Sequence, residues 1–150
     1  MYTRQEASLI RKKFWTSFGL YMRPVHGAEG DTVNWLNYKT GIRHIYFRMD
    51  ADNQHVSVAI ELAHPDADTR LLYYEQLHAL RTVFTEMMGE EWDWQSRITD
   101  EHGTVISRIS KTLSGVSIFD ESRWPDMISF LKPRMIALDN FWLMVKDGFD

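Results

Sequence analysis

Ile45-Tyr46-Phe47-Arg48-Met49, a turn over Asp50-Ala51-Asp52-Asn53-Gln54, and then Val56-Ser57-Val58-Ala59-Ile60-Glu61-Leu62 form the stretch that decides the fold. In the first arm Ile45, Phe47 and Met49 alternate with Tyr46 and Arg48. In the second, Val56, Val58, Ile60 and Leu62 alternate with Ser57, Ala59 and Glu61. A period of two sends successive side chains to opposite faces of a strand. Two such arms joined by a short polar turn predict an antiparallel hairpin with one apolar face, which must be covered by something else.

The covering elements lie on either side. Downstream, Asp66 or Asp68 can cap a helix whose stripe is Tyr73, Leu77, Leu80, Phe84 and Met87, with Gly89 placed to end it. Upstream, Thr3-Arg4-Gln5-Glu6 reads as a capping box ahead of Ile10, Phe14, Phe18 and Met22, which recur every four residues until Pro24 stops the helix. Residues 24–34 are turn-rich and read as a loop. Further on, Trp92 and Trp94 share a face if residues 91–95 form a strand, Asp100-Glu101-His102-Gly103 reads as a turn, and residues 105–113 as a fourth strand. Ser122 is the expected cap of a last helix with Pro125 in its first turn and a stripe of Ile128, Leu131, Met135, Leu138, Trp142 and Val145. Pro133 should kink that helix or split it in two. The expected fold is α+β: an antiparallel sheet of about four strands with three long helices, in the order α-ββ-α-ββ-α, as a single domain over residues 1–150.

Composition agrees with one self-sufficient core. The 150 residues are 44% hydrophobic and 13% aromatic, enough to fill an interior without staples. The absence of cysteine excludes disulfides, thiolate metal sites and cysteine nucleophiles. The first thirty residues lack a signal-peptide core, and no apolar run approaches the roughly 20 residues needed to cross a bilayer. A cytoplasmic address is expected, with no membrane partner. Net charge is −4, yet residues 1–48 hold eight Lys or Arg against three Asp or Glu, and the remainder nine against eighteen. The basic first third either pairs with the acidic remainder inside the fold or faces an acidic partner.

Motifs narrow the chemistry mostly by exclusion. Asp50 and Asp52 precede Glu61 across a hairpin, as acidic magnesium ligands do in nucleases, but Leu62-Ala63 follow where that chemistry wants a lysine. A calcium loop opening at Asp50 would have His55 at its glycine position. The six histidines show no close pair at metal-binding spacing, although His44 and His55 could face each other across the hairpin. Ser129-Phe130-Leu131-Lys132 and Lys39-Thr40-Gly41 mimic penicillin-binding enzymes in the wrong order. No catalytic residue, metal ligand or cofactor is assigned. The stretch with most binding character is residues 34–44, where Trp35 and Tyr38 interleave with Lys39 and Arg43: aromatic rings stack on bases and cations neutralise phosphates. The same residues also suit a core rim with snorkelling cations.

Phe14-Trp15-Thr16-Ser17-Phe18, residues 35–47, Ile60-Glu61-Leu62, Tyr74-Glu75-Gln76-Leu77, Gly89-Glu90-Glu91-Trp92-Asp93-Trp94 and Trp124-Pro125-Asp126-Met127-Ile128 together resemble an uncharacterised bacterial domain-of-unknown-function family in its short, stand-alone form. The resemblance covers nearly the whole chain. It implies longer relatives that carry the domain at the C-terminus, sometimes behind a restriction-endonuclease-like domain, and so inclines the expected partner toward DNA-linked systems. It supplies no catalytic residues. The leading expectation is a non-enzymatic binding or adaptor domain for a protein or nucleic-acid partner, with Trp35 and Tyr38 as anchors and Lys39 and Arg43 as charges. The alternatives are a metal-assisted, nuclease-like hydrolase using Glu61 with Asp50 or Asp52, and a structural protomer that forms a homodimer through a sheet edge or the last helix.

Overall fold

The structure, a computed structural model, describes residues 2–149. The hairpin forms as its alternation requires: β1 (Ile45–Ala51) pairs with β2 (His55–Leu62) without interruption from Ile45 opposite Leu62 to Ala51 opposite Val56. A second hairpin joins β3 (Asp93–Thr99) to β4 (Val105–Ser114), with a register shift between Gln95 and Ile98. β4 then pairs antiparallel with β2, giving a four-stranded sheet ordered β1-β2-β4-β3.

Four α-helices, among the described residues, cover one face: α1 (Arg4–Met22), α2 (Ala67–Ala79), α3 (Arg81–Met88) and α4 (Trp124–Val145). The expected capping box is present, with Thr3 Oγ1 accepting from the Glu6 amide and Glu6 Oε1 from the Thr3 amide. Phe14, Phe18 and Met22 of α1 and Met127, Leu131, Met135 and Leu138 of α4 are fully buried against Val56, Val58, Ile60 and Leu62 of β2. That is one contiguous apolar cluster, fed by the period-two face of the sheet and the helical stripes. Tyr46, Arg48, Ser57, Glu61, Arg108, Ser110 and Thr112 occupy the alternate strand positions and form the opposite, uncovered face.

The expected α-ββ-α-ββ-α order with three helices is corrected to α-ββ-αα-ββ-α. The stripe from Tyr73 to Met87 is real, but Leu80 leaves helical geometry at φ −98°, ψ 11°, its amide donating back three residues to the Leu77 carbonyl at 2.9 Å. That tighter turn re-aims α3, so that Phe84 enters edge-on among Trp92, Trp94 and Phe141. Aromatic packing overrides an otherwise continuous helical pattern, and Gly89 ends α3 in the left-handed conformation at φ 73°. Ser122 is not the last helix's cap: Asp120 accepts from the Ser122 amide and heads a 3-10 turn, Glu121–Arg123, that runs into α4. Pro125 sits in the first turn as expected, and Pro133 does not split the helix. Next to the gap that the proline leaves in the ladder, Arg134 Nη1 donates to the Phe130 carbonyl at 2.9 Å. His44 meets His64 at 4.8 Å between ring centroids, not His55.

Candidate functional site

The uncovered sheet face holds the largest concavity described, a cleft of about 780 Å³ running from the β1–β2 turn to the β3–β4 turn. Register sets the rows of this face: Tyr46, Glu61, Arg108 and Gln95 form one across the four strands, and Arg48, Ala59, Ser110 and Asp93 the next, with Arg48, Ala59, Glu61, Arg108 and Ser110 lining the cleft. Glu61 is the hub. Its Oε2 accepts from Arg108 Nε at 2.9 Å, with Arg108 Nη2 in ion-pair contact at 2.8 Å, while Arg48 Nε stands 3.7 Å from Oε1. The Arg48 guanidinium also covers the Tyr46 ring at 4.2 Å from its centroid. Ser57, Ser110 and Thr112 keep the middle of the floor low and polar. The surface is therefore mixed in charge, with Arg108 hydrogen-bonded to the Glu61 carboxylate and Arg48 beside it.

The Trp35 to Arg43 segment divides in two. Trp35 is buried at 3% exposure in a 3-10 turn, Trp35–Asn37, and its Nε1 donates to the Val25 carbonyl at 2.9 Å. Tyr38 stacks on Phe47 at 4.7 Å and donates its hydroxyl to Asp139 Oδ1. Burial first, and then that hydrogen bond, push the Tyr38 phenol above its ordinary range. Lys39 and Arg43 are exposed and make no ion pair among the described residues. The segment thus places its rings in the core and its cations in water.

Asp139 is the residue that sequence reasoning missed. It is 8% exposed on α4 and also accepts from the Ala28 amide at 2.7 Å, tying the loop of residues 24–34 to the helix. A cleft of about 200 Å³ lies there, between Glu29, Asp31, Lys39, Asp139 and Lys146. The loop approaches closely because position 27 lacks a side chain: a Cβ would stand 2.6 Å from Val33 Cγ2. A buried carboxylate on an apolar helix face was the available signal, since Asp139 interrupts the stripe beside Leu138 and Trp142.

The acidic residues do not converge as the hydrolase alternative requires. Asp50 lies opposite Ser57 and Glu61 opposite Tyr46, four residues apart along the strand or about 13 Å. Asp50 and Asp52 gather instead around His55, each of the three offering a ligand atom within 4.8 Å of the others. His55 Nδ1 stands 3.1 Å from Asp52 Oδ2, and Asp52 Oδ1 accepts the Gln54 and His55 amides of the turn. Asp50 is mostly exposed there, and the contacts are those of a polar hairpin turn.

The sequence model of a family described as a domain of unknown function (DUF4268) matches residues 10–146. The chain belongs to this family. No curated protein and no solved structure matches it. The DUF4268 span begins within α1 and reaches past the end of α4, so it takes in all four strands, the uncovered face and Asp139. No helix of the described residues is long and apolar enough to cross a membrane.

Proposed function

We propose that the chain is a non-enzymatic adaptor domain whose uncovered sheet face receives a protein partner. One observation carries the reading: a four-stranded sheet with all its helices on one side leaves a long polar cleft whose charged side chains are held in position before any partner arrives. Preorganised charges lower the ordering cost of association. Mixed signs, with Glu61 set between Arg48 and Arg108 and the Asp100-Glu101 turn at the cleft's other end, suit a polar protein surface better than a uniformly anionic one. The reading takes the domain as cytoplasmic, which its freedom from cysteine supports.

Affinity capture from native extract with the wild-type chain and with Thr112→Arg, which places a long cation on the cleft floor, tests it. A partner retained by the wild type and lost by the variant is the expected result. Equal capture by both would remove the sheet face from consideration.

A nucleic-acid partner is the second reading, favoured by the unpaired Lys39 and Arg43 at the end of the basic first third, and in keeping with a DNA-linked bacterial system. Titration against single- and double-stranded DNA and RNA at two salt concentrations is its test. Binding that weakens with salt, and weakens again in Lys39→Ala/Arg43→Ala, supports it; salt-independent or absent binding removes it. The hydrolase reading has least support, because Glu61 already engages Arg108 and faces Arg48.

A further inference from the structure

We propose that the cleft between the 24–34 loop and α4 binds a small zwitterion, a free amino acid, with its ammonium on Asp139 and Asp31 and its carboxylate on Lys39 and Lys146. The cleft shares no lining residue with the one on the uncovered sheet face, so this site is independent of the adaptor reading. Asp139 carries an imbalance. A carboxylate only 8% exposed is ordinarily matched by a cation, because charge is costly to remove from water. No basic side chain lies within ion-pair distance of Asp139 among the described residues. Its two oxygens offer about four acceptor positions. The Ala28 amide takes one on Oδ2 at 2.7 Å and the Tyr38 hydroxyl one on Oδ1, which leaves acceptor capacity on both at the wall of the cleft.

Two more carboxylates gather at the same corner. Glu29 and Asp31 line the cleft from the loop, and Asp31 Oδ1 and Asp139 Oδ2 both lie within 3.4 Å of the point where a Gly27 Cβ would stand. Their charge is felt inside the fold: burial and the Asp139 bond raise the Tyr38 phenol, and the fields of Asp31 and Glu29 push it further up. The phenol keeps its proton and serves Asp139 as a donor. The corner is also braced. The Gly27 amide donates to the Asp31 carbonyl and the Gly30 amide to the Gly27 carbonyl, each at 2.9 Å, and the Ala28 bond pins this turn to α4. Acceptors held in place before binding lower its entropic cost. An ammonium, with three donors and a compact charge, is the group that such a corner selects.

The opposite charge stands beside it. Asp139, Leu143 and Lys146 recur at spacings of four and three, so they share one face of α4, continued by the helical backbone of Lys146 at φ −59°, ψ −31°. Lys39 lines the cleft as well, and neither lysine makes an ion pair among the described residues. An acidic corner, an apolar step at Val33 and Leu143 and two cations match the ammonium, side chain and carboxylate of an amino acid. An amine alone would leave the lysines unused, and a carboxylate alone would face Glu29, Asp31 and Asp139. The volume of about 200 Å³ is below the roughly 300 Å³ at which sites for drug-sized ligands begin, and it suits a molecule of amino-acid size.

Amide chemical-shift titration of the isotope-labelled full chain tests the proposal, with L-valine as the probe and isobutylamine and isovalerate as its counterparts lacking one charged group. L-valine is expected to shift the amides of residues 28–34 and 139–146 saturably, and each counterpart to bind about tenfold more weakly or worse. Asp139→Asn keeps an acceptor for Tyr38 but removes the charge, and should abolish binding. Asp31→Asn should weaken it about threefold, and Lys39→Ala/Lys146→Ala about tenfold, without unfolding the chain, since these side chains lie at the surface. Absence of localised shifts with L-valine in the millimolar range would overturn the proposal. So would a counterpart that binds as tightly as L-valine, or an affinity that neither Asp31→Asn nor the double lysine variant changes. If Asp139→Asn fails to fold, those two surface variants decide.

Discussion

Arg134 holds both carboxylate oxygens of Glu90, Nε to Oε2 and Nη2 to Oε1, each at 2.8 Å. This fork ties the turn after α3 to α4, and Trp92 Nε1 adds a third donor to Oε2 at 3.0 Å. Burial alone would raise the Glu90 carboxyl, but the Arg134 and Trp92 donors outweigh it and hold it below the ordinary value of 4.5. A carboxyl whose folded pKa is depressed stabilises the fold above its unfolded value and loses that contribution as pH falls through the folded one. Glu90→Gln is therefore expected to lower stability by about 1–2 kcal/mol at neutral pH. The gap from wild type should close on acidification below about pH 4.5, as followed by urea unfolding across pH.

Asp139 accepts from the Tyr38 hydroxyl and the Ala28 amide while nearly buried. Asp139→Ala leaves two donors without an acceptor and should cost about 2–3 kcal/mol. Tyr38→Phe removes only one donor and should cost about half as much. A double-mutant cycle in urea is expected to give a coupling energy of about 1 kcal/mol or more, because the residues share one bond.

Gly27 is needed for space. A Cβ there would meet Val33 Cγ2 at 2.6 Å and Asp31 Oδ1 at 3.0 Å, with Asp139 Oδ2 at 3.4 Å. Gly27→Ala should cost about 1–3 kcal/mol by overpacking and lower the thermal midpoint, whereas Gly148→Ala, which meets nothing within 4 Å, should leave it unchanged.

Arg70 lies 5% exposed on the inner side of α2, and its Nε has no hydrogen-bond partner among the described residues. An unpaired buried donor is costly, whereas an apolar group of similar shape is not. Arg70→Met keeps the unbranched stem and removes the donor, so stability should rise, by about 1 kcal/mol in urea unfolding. A loss of stability would point to a contribution from the guanidinium that the packing of α2 does not reveal.

The local parts of the fold were legible where one period dominated. Val56 to Leu62 could be assigned to a strand and to its buried side without any partner in view, and Thr3 with Glu6 announced the start of α1. The break at Leu80 was hidden because no proline or glycine marks it; it follows from how Phe84 fits among three aromatic rings brought in by β3 and α4. Membership of an uncharacterised family was readable from residues spread over the chain, and the match over residues 10–146 agrees. The site was less legible. Arg48 and Glu61 share a hairpin and so could be placed on one face, but Arg108 reaches Glu61 only through the β2–β4 ladder, which no local pattern announces. Tyr38 and Asp139 likewise meet across a separation of 101 residues.

The order of the strands also bears on how the chain is made. β2 and β4 are the inner strands, joined over their whole paired length from His55 opposite Ser114 to Leu62 opposite Ser107. During synthesis β2 leaves the ribosome first, and α2, α3 and β3 must all follow before β4 can reach it. Until then Val56-Ser57-Val58-Ala59-Ile60, an uncharged run rich in β-branched residues, is an open edge of the nascent hairpin and the segment of this chain most exposed to misassembly. Chaperone holding, or a slowing of synthesis, would act to greatest effect in the interval between the emergence of Leu62 and that of Ser114.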